Sequence, residues 1–182
     1  MPHVIKNQQS SRIHIEPATH QDREQILRIE QESFSAPWTP KMFDAELDGN
    51  PFSHLYVARS LHEGCAGLER GEVVGYVCFW VVFEELRFMN LAVERSVRRQ
   101  GVARELVRYA LALGRERGAV RAVLEVRASN EAARCLYEQA GFHHLAARTA
   151  YYTNPIEDAI LMGMDLLEAV NSEQRIASSS GC

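Results

Sequence analysis

Several features that would assign this sequence to a specialised class of protein are missing. Its four cysteines form no C-x-x-C pair and share no ligand spacing with the seven histidines, so we expect reduced thiols, no disulfide framework and no metal. The longest nearly apolar run, Val73 to Phe83, is shorter than the roughly 17–25 residues of a membrane helix. The polar stretch 1–12 lacks the apolar core of a signal peptide. We therefore expect a cytoplasmic protein with no membrane segment.

A surplus of positive charge is also missing. The sequence has 20 lysines and arginines against 24 acidic residues, a formal net charge of −4, whereas a general nucleic-acid binder shows a broad basic excess. We therefore expect no direct binding of nucleic acid. The 182 residues, 46% of them hydrophobic, suit one globular domain, and no linker or internal repeat divides them. The predicted organisation is a flexible lead-in at 1–10, a folded domain at 11–167 and a disordered tail at 168–182.

Hydrophobic periodicity predicts strands and helices in a definite order. A short strand near Ile13 precedes two helices, the first with Thr19 as N-cap and Asp22 three residues later, the second opening at Thr39–Pro40. Three extended segments follow, and the middle one, 72–83, is apolar on both faces, as a central strand should be. The complete order, β-α-α-β-β-β-α-β-α-β-β, predicts an α/β (α+β) fold in which helices pack on a mixed central sheet.

The stretch "VRRQGVARELV", residues 97–107, places arginines and a glycine at a helix start. The N-terminal end of a helix is already positive and normally carries Asp or Glu, so arginines there indicate that a ligand supplies the negative charge. Free N–H groups of a first helical turn can bind phosphate. Gly101 lets the backbone approach that phosphate, and Ala103 keeps the next position small. The segment predicts a pyrophosphate site, although solvated arginines at an ordinary helix start fit the local pattern equally well.

Motifs in and around this stretch resemble those of the GNAT acetyltransferases. In "NLAVERSVRRQGVARELV", Arg98-x-x-Gly101-x-Ala103 matches the family's Arg/Gln-x-x-Gly-x-Gly/Ala motif for acetyl-CoA. "LEVRASNEAARCLYEQAGF", "AYYTNPIEDAILMGMDL" and "FSAPWTPKMF" are similar to the RimI-type branch, the ribosomal-protein N-terminal alanine acetyltransferases. The resemblance covers about residues 12–166. It implies a single-domain GNAT fold, acetyl-CoA as acetyl donor without a metal, and a protein N-terminus as acceptor.

The resemblance also implies which residues bind the cofactor. In the family, the strand before the loop bonds the pantetheine arm, and the loop and helix start hold the pyrophosphate mainly through backbone amides. Asn130 would reach the CoA arm, although its place also suits a plain helix N-cap. The implied cofactor-binding residues are Leu91, Ala92, Val93, Arg99, Gln100, Gly101, Val102, Ala103, Arg104 and Asn130.

Glu125 and Tyr137 match the branch's general base and general acid, both of which acyl transfer to an amine requires. Strand alternation places Glu125 opposite Leu124 and Val126. Without the family, Glu125 would be read as a surface carboxylate paired with arginine, and Tyr137 as a core tyrosine. Trp38 and Tyr151 are the implied peptide-binding residues, one in the loop joining the first two helices and one near the last strands. Trp38 also suits a packing role alone.

The class of amine follows from proton energetics. At pH 7 the neutral form costs about 1 kcal/mol for an α-amine and roughly 4–5 kcal/mol for a lysine side chain. One carboxylate base therefore suits an α-amine better, and the leading function is acetylation of a ribosomal protein's N-terminal alanine. Two alternatives stay open: acetylation of another amine, on a lysine or a small molecule, and a catalytically silent domain that binds acyl-CoA or a partner.

Overall fold

A computed structural model describes residues 12–61 and 69–167, which form one seven-stranded sheet with helices on both faces. Its strands are β1 (Ile13–Pro17), β2 (Ser53–Ser60), β3 (Val73–Val82), β4 (Glu85–Val93), β5 (Arg121–Arg127), β6 (His143–Thr153) and β7 (Ile156–Asp165). Its helices are α1 (Arg23–Ser33), α2 (Pro40–Asp48), α3 (Val102–Glu116) and α4 (Glu131–Gln139). The predicted element order is confirmed. The predicted lead-in and tail lie outside the described residues.

The sheet has the order β1-β2-β3-β4-β5-β7-β6, and every neighbouring pair is antiparallel except β4 and β5. These two parallel strands pair from Glu85↔Arg121 to Arg87↔Val123 and then separate. The later part of β4 stays paired with β3, and the later part of β5 stays paired with β7. A wedge-shaped opening therefore divides the sheet beyond Arg87.

A β-bulge in β4 marks the start of this opening. Phe79 pairs with Phe88 and Cys78 pairs with Asn90, so Met89 is an extra residue in β4. A bulge changes which face the following side chains occupy. Phe88 and Leu91 both pack into the core beneath α3, while Met89 packs on the opposite core beneath α1 and α2.

Two apolar cores hold the helices on the sheet. On one face, α1 and α2 contribute Ile26, Ile29 and Phe43, which are each 1% exposed. On the other face, α3 contributes Leu106 and Ala110, both fully buried. The strand predicted to be central, β3, is buried from Val73 to Phe79. Burying such side chains stabilises the fold by about 1.5–3 kcal/mol each, so the sheet is a rigid support for the opening.

The helix starts follow local capping chemistry. Thr39 caps α2 by accepting a hydrogen bond from the Met42 amide at 3.4 Å, and Pro40 occupies the first position, as predicted. At the first helix, a 3-10 turn (His20–Asp22) precedes α1, and the buried Asp22 carboxylate accepts from the Thr19 amide at 2.9 Å. None of the described helices is long and apolar enough to cross a membrane.

Candidate active site

The opening between β4 and β5 gathers the chemistry-bearing residues. Since the two strands are parallel, their C-terminal ends lie at the same end of the sheet. The chain continues from β4 into α3 and from β5 into α4, so both helices begin beside the opening. A ligand lying in the wedge therefore meets two free strand edges and two helix starts.

The start of α3 forms a cradle of free amide donors. Gly101 is the N-cap residue, with φ +88°, and it has no side chain to cap the helix. The backbone of Arg99 is also in the left-handed region, with φ 65°. The first helical hydrogen bond runs from the Glu105 amide to the Gly101 carbonyl at 3.0 Å. Within the described structure, no group accepts from the amides of residues 100–104. Unpaired N–H groups at a helix start bind phosphate oxygens.

The space above Gly101 is open enough for such a ligand. A Cβ atom on Gly101 would have Nη2 of Arg104 as its nearest neighbour, at 3.5 Å. The exposed side chains of Arg99 and Arg104 lie in this segment, and neither forms an ion pair with a described acid. Free amides, an open approach and positive charge fit the pyrophosphate of acetyl-CoA.

The arginines before α3 were expected to place positive charge near the phosphate, and Arg98 does not fit this expectation. Its Nε donates to the Val93 carbonyl at 2.9 Å, and its Nη2 donates to Ser33 Oγ at 3.0 Å. The guanidinium therefore braces the end of β4 against α1. This leaves backbone amides as the main donors of the cradle.

Asn130 sits at the start of the second helix beside the opening. Its Oδ1 accepts from the Ala133 amide at 3.1 Å, which makes it the N-cap of α4. The side chain is exposed, and no described group accepts from its Nδ2. Contact with the CoA arm stays a prediction, as do the cofactor contacts of Leu91, Ala92 and Val93 in β4.

Glu125 points out of β5 on the face opposite Leu124, as strand alternation predicts. Its side chain is 17% exposed, and Oε1 lies 2.9 Å from Nη1 of Arg148, on β6. This contact is an ion pair without hydrogen-bond alignment, because Oε1 receives no hydrogen bond from the described residues. A hydrogen bond with Glu125 is the main cause that raises the pKa of Tyr151, followed by burial. Arg148 and Tyr151 thus hold the carboxylate in place.

Tyr137 is fixed by aromatic packing, and its hydroxyl is left available. The residue is 8% exposed, and its ring centroid lies 5.7 Å from that of Phe142 and 6.2 Å from that of Phe88. Of the described residues, Tyr152 acts electrostatically on the hydroxyl, without a hydrogen bond to it. Burial, with a smaller contribution from Tyr152, raises the pKa of Tyr137 above its usual range. The phenol therefore stays protonated at neutral pH and can donate.

An irregularity in β6 brings two tyrosines to the same place. The β6–β7 register shifts between Arg148 and Tyr152, and Ala150 adopts φ 52° with its amide bonded to Asp158 Oδ1 at 2.8 Å. Tyr152 interacts electrostatically with both Glu125 and Tyr137. The structure therefore brings together the predicted base, the predicted acid and the predicted peptide-binding Tyr151.

Trp38 lies in the loop between α1 and α2, partly buried against the core. Its ring is 5.3 Å from that of Phe43, and its backbone amide donates to Glu30 Oε1 at 2.7 Å. The packing interpretation of Trp38 thus has direct contacts, while its role in a peptide groove stays a prediction.

Several residues at the site were not predicted from the sequence. Arg148 pairs with Glu125, Arg127 contacts the loops on both sides, and Glu30 holds Trp38 from inside the fold. The sequence did contain a signal for Arg127, because it lies two residues after Glu125 and both side chains therefore share one face of the strand. The sequence contained no such signal for Arg148 and Glu30, since they reach the site only through tertiary packing. No group of three or more potential metal ligands occurs in the described residues.

Comparison with known proteins gives a consistent set of relatives. The acetyltransferase (GNAT) family model matches residues 23–142. The ribosomal protein bS18-alanine N-acetyltransferase of Escherichia coli is 33% identical over 140 residues, covering 76% of this chain and 87% of the relative. The N-alpha-acetyltransferase RimI of Mycobacterium tuberculosis is 32% identical over 152 residues, covering 81% and 89%. A crystal structure of the Escherichia coli ribosomal-protein-S18-alanine N-acetyltransferase matches with a TM-score of 0.73 and 29% identity, covering 85% of this chain and 94% of that one.

Proposed function

The chain belongs to the GNAT family of acetyltransferases, and we propose that it acetylates the N-terminal α-amine of a ribosomal protein that begins with alanine. The observation that supports this function is the arrangement at the β4–β5 opening. Glu125 lies in β5 beyond the last pair with β4, Tyr137 packs on Phe88 of β4, and the free amides begin α3. Relatives that the chain matches over most of its length act on the alanine of ribosomal protein bS18. Residues 11–167 form the catalytic domain in this proposal, and the protein works in the cytoplasm.

Acetyl-CoA binds along the opening, with its pyrophosphate on the start of α3. The amides of residues 100–104 donate to the phosphate oxygens, and Arg99 and Arg104 add screened positive charge. The free edge of β4 from Leu91 to Val93 faces the pantetheine arm, and Asn130 approaches it from the start of α4. When bound, acetyl-CoA supplies an acetyl group activated as a thioester.

Two side chains then carry the proton transfers. Glu125 accepts the proton that the substrate amine loses on attacking the acetyl carbonyl carbon, through the carboxylate that Arg148 and Tyr151 hold in place. Tyr137 gives its hydroxyl proton to the sulfur as the carbon–sulfur bond breaks. The raised pKa of Tyr137 keeps that proton in place until then. One proton is taken and one is given, so the pair returns to its starting state after proton exchange with solvent.

An α-amine is the acetyl acceptor that Glu125 can deprotonate at the lowest cost. Deprotonating it at pH 7 costs about 1 kcal/mol, against roughly 4–5 kcal/mol for lysine. The region of Tyr151 and Trp38 receives the first residues of the peptide in this proposal, which leaves the amine facing Glu125. Tyr151 is 45% exposed, so its ring is accessible to a peptide.

A peptide panel tests the proposal directly. The full chain is incubated with acetyl-CoA and peptides that differ only in the first residue, and mass spectrometry locates the added acetyl group. We expect acetylation at the α-amine, fastest with alanine first, and none on an internal lysine. Acetylation of lysine side chains or of small amines, with no α-amine product, would contradict the proposal. Acetyl-CoA binding without transfer to any amine would indicate a silent binding domain.

A further inference from the structure

We propose that Arg127 is a positioning residue that holds the two walls of the peptide groove at a fixed separation. The first wall is the loop between α1 and α2, residues 34–39, and the second wall is the tip of the β6–β7 hairpin, residues 149–155. The description of these segments as groove walls rests on the proposed function. The contacts that join them through Arg127 do not depend on it.

The guanidinium of Arg127 lies between the two walls and bonds to both. Nη2 donates to the Asn154 carbonyl at 2.9 Å and to Ser35 Oγ at 3.4 Å. Nη1 donates to the Pro155 carbonyl at 3.4 Å. The walls also touch directly, because Ser35 Oγ donates to the Asn154 carbonyl at 2.8 Å. These partners are 119 residues apart in the chain, so no local interaction fixes their distance.

The same side chain orients groups next to the reacting atoms. The Arg127 Cζ lies 4.1 Å from the centroid of the Tyr152 ring, a cation–π contact. Tyr152 in turn interacts with both Glu125 and Tyr137. Displacing Arg127 therefore changes the surroundings of the catalytic pair as well as the groove.

A third connection runs to the start of α4. Arg127 Nη1 donates to Glu157 Oε2 at 3.2 Å, and Glu157 Oε1 accepts from the Ser129 amide at 2.5 Å. Ser129 precedes Asn130, the N-cap of α4. One guanidinium thus links both groove walls and the loop beside the CoA arm, which requires its planar fork of five donors and not charge alone.

Position in β5 explains why this residue can reach all of these groups. Arg127 is the last residue of β5 and lies two residues after Glu125 on the same strand face. Its side chain is 22% exposed, so solvent competes little for its donors. Arg121, at the other end of the same face, is 62% exposed and donates to Glu85 at 2.9 Å. It provides a matched control that lies outside the groove.

Arg127→Gln tests the inference, with Arg121→Gln as control. Hydrogen exchange is first measured on the full chain without ligands. In Arg127→Gln we expect exchange to accelerate in both walls, roughly tenfold or more for the loss of hydrogen bonds to a charged group, with α3 unchanged. Arg121→Gln should leave both walls as in the wild type. Unchanged exchange in either wall of Arg127→Gln overturns the inference.

Steady-state kinetics then separate positioning from general destabilisation. Arg127→Gln should raise the KM for an alanine-first peptide at least tenfold, as expected for such lost bonds. It should leave the KM for acetyl-CoA within about twofold, because the cap bond of Asn130 and the start of α3 do not involve Arg127. Ser35→Ala removes the direct bond between the walls and one Arg127 contact but keeps the Arg127 bonds to Asn154 and Pro155, so it should raise the peptide KM by less. Faster wall exchange with an unaltered peptide KM also overturns the inference. If the wild type acetylates no α-amine, the proposed function fails, and the exchange data alone decide the role of Arg127.

Discussion

Replacing Gly101 by alanine should separate the cofactor cradle from the stability of the fold, because the chain contains a matched glycine. Gly101 and Gly118 flank the same helix, α3, one before its start and one after its end. Both have φ +88°, and a Cβ would meet no heavy atom closer than 3.5 Å at Gly101 and none within 4 Å at Gly118. The two alanine variants therefore carry the same backbone strain in equally open space.

The expected loss of stability is similar for both variants. A left-handed backbone costs a residue with a Cβ roughly 1–2 kcal/mol. In a domain of this size, 1 kcal/mol corresponds to about 2–4 °C in Tm. Both variants should therefore melt roughly 2–8 °C below the wild type and stay folded. Differential scanning calorimetry measures this directly.

Acetyl-CoA affinity should distinguish the two. We expect the methyl group added at Gly101 to narrow the approach to the free amides that follow it, so that a phosphate oxygen loses at least one of these donors. A hydrogen bond to a charged group contributes about 1.5–3 kcal/mol, so Kd should rise roughly 10- to 150-fold. Gly118→Ala should bind with wild-type affinity in isothermal titration calorimetry. Unchanged affinity in Gly101→Ala, or an equal loss in Gly118→Ala, would refute the assignment of the cradle.

Three further outcomes are expected. Glu125→Gln should lower kcat roughly 10²–10⁴-fold, with partial recovery at high pH. The kcat defect of Tyr137→Phe should persist at high pH and become smaller with an acyl donor whose thiol is more acidic. If both variants keep the wild-type pH–rate profile, these residues are structural. Trp38→Ala should raise the peptide KM, and a lower Tm with unchanged KM would leave Trp38 a packing role only. Burial lowers the pKa of His54 from 6.5 to about 4, so the unfolded chain binds the proton first as pH falls. Urea unfolding should therefore show stability falling between about pH 6.5 and 4, with a flatter profile in His54→Gln.

On the donor side of the proposed site, the free amides at the start of α3 could be predicted because they are local in the sequence. Gly101 and the amides that follow it are contiguous, so the sequence alone places the glycine and the free amides at the start of the helix. The element order was equally predictable, since alternating and helical periodicities are properties of short segments. Arg98 shows the limit of such reasoning, because charge counted along the chain does not reveal that its guanidinium turns inward to Val93 and Ser33.

On the acceptor side, Trp38 and Tyr151 follow from the family resemblance, but the contacts around them could not be predicted, because these contacts exist only after distant segments meet. Arg148 reaches Glu125 through the irregular part of β6, where Ala150 has a left-handed backbone without being a glycine. Arg127 meets Ser35 and Asn154 from different parts of the chain. Periodicity places Arg127 on a strand face but contains no information on which loops cover that face.

Glu30 shows how the fold connects the two halves. Its side chain is 1% exposed, yet it carries a carboxylate, which is costly to bury unless its oxygens are satisfied. The Tyr76 hydroxyl, Asn90 Nδ2 at 3.1 Å and the Trp38 amide at 2.7 Å all donate to it. Asn90 follows the bulged residue Met89 in β4, so the bulge that begins the opening also turns an amide toward α1. One buried carboxylate therefore fixes the loop that contains Trp38 relative to β4, whose free edge is the proposed place of the pantetheine arm. The position of this loop relative to β4 is thus set by hydrogen bonds to a group that is 1% exposed, where solvent competes least.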